Sequence, residues 1–91
     1  MKWLEVIKLR SSGKNSATLD GLLMSIGKVA QRGLVEMKTY RHAALATDWS
    51  VHLYWKPDRP EQDGTALGLR LAQALKEFGL VDHSVWIEEK E

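Results

Sequence analysis

The residue best placed for chemistry in this 91-residue chain is His52, midway along the alternating segment Asp48–Trp55. An imidazole titrates near neutral pH, so it can exchange protons under ordinary conditions. If Glu5 stands opposite on an adjacent antiparallel strand, its carboxylate would orient the ring as general-base catalysis requires. A structural cross-strand pair at a subunit interface is the commoner use of the same two residues. Tyr54, Trp86, Trp3 and Tyr40 are large aromatic residues able to stack a flat ligand, or simply to pack. His42 reads as a solvated strand-end residue and His83 as a hydrogen-bonded packing residue. The three histidines have no short metal-ligand spacing and there is no cysteine, so no metal site is expected. No cofactor motif is recognisable. Gly13-Lys14-Asn15-Ser16 before a helix resembles an anion cradle, but the upstream glycine of a phosphate loop is missing, and a plain capped loop is expected.

These residues need elements to hold them. Trp3 to Arg10 reads as a strand rich in branched and aromatic residues. After a polar loop, Asn15 or Ser16 can cap a helix carrying Leu19, Leu22, Leu23, Ile26 and Ala30, with Gly33 as its stop. Leu34 to His42 reads as a second strand, residues 43–47 as a hairpin connection, and Asp48 to Trp55 as a third strand of strict alternation. Residues 56–64 form a charged, turn-rich loop. Thr65 then caps a helix with Leu67, Leu71, Leu75 and Phe78 on one stripe, closed by Gly79. Val81 to Glu88 completes the pattern as a fourth strand.

The order β-α-β-β-α-β predicts a ferredoxin-like α+β fold, a single domain over residues 1–91. Right-handed crossovers place both helices on one face of a four-stranded antiparallel sheet, in the strand order fourth, first, third, second. The more apolar parity of each strand should meet the helices, which assigns Val35, Met37, Val51, Leu53, Val85 and Ile87 inward. For the first strand the inward set is Leu4 and Val6, because the other parity would bury the Glu5 carboxylate. The uncovered face then carries Trp3, Ile7, Leu9, Tyr40, Tyr54 and Trp86 around Glu5 and His52. So apolar a face predicts a homodimer closed through its open sheets, with room for a small apolar or aromatic ligand between them.

Segments 48–55, DWSVHLYW, and 79–87, GLVDHSVWI, together with the strand order, resemble the dimeric α/β-barrel group that includes antibiotic biosynthesis monooxygenase-like domains. The resemblance covers some eighty-five residues and implies a homodimeric barrel. Monooxygenase-like chemistry on a small molecule is the enzyme alternative it brings. Haem-degrading members use an asparagine on the first strand, but here the one asparagine, Asn15, falls in a loop, so that set is not reproduced.

Composition narrows the alternatives. Thirteen basic against twelve acidic residues give a net charge of +1, which argues against a dedicated nucleic-acid or polybasic membrane module. An RRM-like use of the sheet face lacks the aromatic-glycine RNP1 pattern. An amino-acid-sensing regulatory module shares the strand order, but the chain carries no enzyme to regulate. No apolar run reaches the ~20 residues of a membrane span and no signal-peptide core is present, so the cytoplasm is the expected compartment.

Overall fold

The computed structural model describes residues 2–89. The elements are β1 (Trp3–Ser11), α1 (Ser16–Ile26), β2 (Leu34–Arg41), β3 (Asp48–Trp55), α2 (Ala66–Leu75) with a 3₁₀ turn (Lys76–Phe78), and β4 (Gly79–Ile87). The four strands form one antiparallel sheet in the order β2-β3-β1-β4. This is the ferredoxin-like α+β arrangement, with β1 and β3 central as the sequence predicts.

Helix α2 forms where its caps and stripe agree. The Thr65 side chain accepts a hydrogen bond from the Gly68 N–H at 3.0 Å, satisfying one orphan donor of the first turn. Leu67, Leu71 and Leu75 then recur on one buried face. Helix α1 departs from expectation at both ends. Asn15 sits in the left-handed region at φ 57° and its side chain makes no capping bond. The helix stops at Ile26 rather than near Gly33, because the next apolar residues, Val29 and Ala30, have nothing to pack on and are exposed. The Lys28 and Val29 N–H groups bond three residues back, to Ser25 and Ile26, in a tightened terminal turn.

The inward parity of β1 is opposite to that expected. Trp3, Glu5, Ile7 and Leu9 lie opposite Trp55, Leu53, Val51 and Trp49 of β3 and share their helix-facing side. Leu4, Val6 and Lys8 lie on the open face. Ile7, Leu9, Val51 and Leu53 are at most 2% exposed. The reason is a balance of areas. The observed parity buries three large apolar side chains, each worth roughly 1.5–3 kcal/mol, where the other offers two and the Lys8 ammonium. The penalty that argued against it, a buried carboxylate at Glu5, is offset by hydrogen bonds that only the folded chain assembles.

One further inward assignment changes. An irregularity between Leu34 and Glu36 breaks the alternation of β2 and turns Val35 outward, 62% exposed. Val85 and Ile87 face the helix side as expected, paired with Glu5 and Trp3, although on edge strand β4 Ile87 is exposed and Val85 half-buried. Met37, Val51 and Leu53 belong to the core or pack against it, as expected.

Candidate functional site

The two sides of the sheet each present a histidine constellation, and neither is the pair Glu5–His52. The register sets Val6 opposite His52 and Glu5 opposite Leu53, so Glu5 and His52 point to opposite faces. The one-residue difference in facing removes the geometric basis for a dyad between them.

On the helix side, Glu5 is fully buried and saturated. Its Oε1 accepts from the Trp55 indole N–H at 2.9 Å and from the Thr65 hydroxyl. Its Oε2 accepts from the Thr65 backbone N–H at 3.0 Å and lies 2.7 Å from His83 Nε2. With donors on its other sides, Glu5 is the natural acceptor for the histidine as well, so Nε2 carries the shared proton. The cluster ties β1, β3 and β4 to the first turn of α2. Backbone shape makes room for it. A Cβ at Gly68 would overlap the Glu5 carboxylate, and one at Gly64, where φ is +93°, would overlap the His83 ring. His83 lines neither the groove at the strand ends nor the one beside Lys8, and its ring is largely buried against Glu5. The expectation that His83 is a hydrogen-bonded packing residue agrees with this geometry.

On the open side, His52 is half-buried at the centre of a polar and aromatic row. Its Nε2 shares a 2.7 Å hydrogen bond with the Ser50 hydroxyl. The Tyr40 ring lies 4.8 Å away and the Tyr54 ring 6.2 Å away, centroid to centroid. Burial, and then the nearby Lys8 ammonium, lower the His52 pKa below the ordinary 6.5, which favours the neutral imidazole. The Tyr54 phenol is raised above its ordinary 10.0, first by its hydroxyl interaction with Tyr40 and then by burial. A neutral imidazole beside two phenol hydroxyls can accept and donate protons or hydrogen bonds, which is the chemistry available here.

A groove of about 550 Å³ wraps the strand ends next to this row. Leu4, Tyr54 and Trp86 line it from the open side, with Trp3 and Trp55 beneath. Three of the four aromatic residues singled out in the sequence, Trp3, Tyr54 and Trp86, therefore meet at one groove, while Tyr40 stands by His52. Trp3 corrects its expected facing: it is 6% exposed and stacks on Trp55 at 5.8 Å on the helix side. Its Nε1 is the one buried side-chain polar atom without a hydrogen-bond partner among the described residues.

The remaining candidates have local roles. His42 Nδ1 accepts from the Ala44 and Leu45 N–H groups at 3.0 and 3.1 Å, so it caps the β2–β3 turn. The Ser11 and Ser12 hydroxyls accept from the Gly13 and Lys14 N–H groups and fold the loop before α1 on itself. Sequence reasoning missed Thr65 and Trp55 as partners of Glu5. Thr65 was recognisable only as a helix cap, and a cap residue carries no sign of a long-range partner.

Among the described residues, no group of three or more His, Asp or Glu side chains is placed to hold a metal ion, and no helix is long and apolar enough to cross a membrane. No family model matches the chain, and neither a curated protein nor a solved structure does.

Proposed function

We propose that the chain works as a cytoplasmic homodimer whose open sheet faces pack together and enclose a small apolar or aromatic ligand, in the manner of the antibiotic biosynthesis monooxygenase-like dimeric α/β barrels. The observation that carries this reading is the open face itself. Leu4, Val6, Tyr40, His52, Tyr54 and Trp86 lie on the side opposite the helices, and Tyr40 and Trp86 are 43% and 57% exposed. A second copy covers such a face with the same set of side chains, and the two grooves at the strand ends leave volume for a ligand. Sedimentation equilibrium at micromolar concentration tests it. A mass twice the 10.3 kDa of one chain is expected, and a monomer up to high concentration overturns it.

The second reading, a monooxygenase-like small-molecule enzyme, is favoured by one observation. His52 is held neutral between Ser50 and two tyrosines, with Tyr54 and Trp86 beside the adjoining groove. In this reading His52 is the proton acceptor, without Glu5. Loss of turnover in His52→Ala with the dimer preserved supports it, whereas loss of the dimer alone assigns His52 to the interface.

A further inference from the structure

The open face changes character along its length. At the end where β1 begins, Leu4, Tyr54 and Trp86 form an apolar platform beside the groove. Four residues further along β1, Lys8 stands between Ser50 on β3 and Asp82 on β4, with His52 and Tyr40 nearby. At about 3.3 Å per residue the two zones lie roughly 13 Å apart.

The cations of this face differ in one respect. Arg10 lies 3.7 Å from Asp48, and Lys38 lies 3.6 Å from Glu36. Lys8 has no ion pair among the described residues, although the register puts Asp82 directly across from it. Its charge is felt at the imidazole of His52, whose protonation it opposes. Ser50 is the register partner of Lys8 on β3 and hydrogen-bonds His52, and Lys8, Ser50 and Tyr40 line one shallow groove.

We infer that the ligand of this face is an aromatic acid about 13 Å long, its rings on Leu4, Tyr54 and Trp86 and its anionic group beside Lys8, Ser50 and His52. This rests on the ligand-binding reading above and specifies its chemical class. The pairing is complementary at both ends. Flat apolar rings stack on aromatic side chains, and an anion supplies the acceptor that the Lys8 ammonium lacks. Asp82 competes for Lys8 from the neighbouring strand, so an acid must displace its influence to bind. A neutral ligand of the same rings gains the stacking and forfeits the second contact.

Two fluorescent probes with the same ring system separate the contributions: 6-(p-toluidino)naphthalene-2-sulfonate, whose anionic group lies at the opposite end from its tolyl ring, and N-(p-tolyl)-2-naphthylamine, which is neutral. The sulfonate should bind about tenfold tighter at low salt, the scale of one charge-assisted hydrogen bond. Lys8→Gln, an exposed substitution, should bring the two affinities together. Asp82→Asn should widen the preference, and Trp86→Ala should weaken both probes alike. Equal binding of the two probes to the parent chain, no binding of either, or a preference that survives Lys8→Gln overturns the proposal. Sedimentation of the same samples keeps the two readings apart. A monomer that retains the Lys8-dependent preference defeats the dimer alone. A dimer without the preference defeats the aromatic acid alone.

Discussion

The helix-facing and open sides of this sheet use the same kind of residue for opposite ends. Glu5 and His83 sit beneath α2, and the carboxylate has every oxygen engaged by Trp55, Thr65 and His83. His52 sits back-to-back with them, one residue out of phase, with Ser50 as its single hydrogen-bond partner among the described residues. A polar group that is buried and saturated has nothing left to offer a substrate, and its value lies in fixing which elements meet. A polar group that is half-covered and partly satisfied keeps both capacity and access. The contrast teaches that a titratable residue in a strand gains its role from the face it is sent to, not from its type.

The sharpest way to break the comparison is to remove Glu5. Glu5→Ala leaves the Trp55 indole, the Thr65 N–H and hydroxyl, and His83 without their acceptor in a closed site. A loss on the order of 3–5 kcal/mol is expected by urea denaturation, the cost of breaking a buried charge-assisted cluster. Glu5→Gln should recover only part of it, because the amide brings a donor where two donors already converge. A loss below about 0.5 kcal/mol would place the cluster among ordinary surface contacts.

Leu53→Ala tests the apolar half of the same side. Leu53 is 0% exposed beside Glu5, and truncation should cost about 2–5 kcal/mol through lost burial and a residual cavity. Equality with an exposed substitution such as Leu80→Ala would show that the two sides are not distinguished by packing.

The open side is tested by pH. The folded His52 pKa lies below the unfolded value of 6.5, so the unfolded chain takes up the proton first as pH falls. His52 therefore contributes stability that is present above about pH 6.5 and is lost as the pH drops through the lower folded value. NMR titration of the ring should give a midpoint under 6.5. Lys8→Gln should raise it only partway back, since burial is the larger cause. A midpoint at or above 6.5 in the parent chain would contradict the local environment described for His52.

The smallest effect is expected at Trp3. Its buried Nε1 makes no hydrogen bond, so Trp3→Phe removes an unpaired donor together with some packing. These oppose each other, and stability should stay within about 0.5–1 kcal/mol of the parent in the same denaturation assay. A loss comparable to Leu53→Ala would mean that the indole N–H has a partner.

Much of the architecture was legible in the residues. The strict alternation of Asp48–Trp55 marked β3 from end to end, and Thr65 with the Leu67, Leu71, Leu75 stripe marked α2. The end of α1 was not legible, because Val29 and Ala30 continue a helical spacing that no neighbouring surface rewards. Of the site, His52 and Tyr54 fell on the open face as read, whereas Trp3 and Glu5 did not.

The order of elements, the antiparallel strand order and the apolar stripe of α2 follow from local pattern, because hydrophobic period, capping and turn chemistry act within a few residues of one another. The facing of β1 does not. Both parities of Trp3–Leu9 offer apolar side chains, and local pattern left Glu5 as the deciding residue. Its burial is costly in isolation and acceptable once Trp55, Thr65 and His83 arrive, 50, 60 and 78 residues away along the chain. Only the tertiary structure brings those donors together, so only it could decide that Glu5 turns inward and that His52 stands alone on the open face.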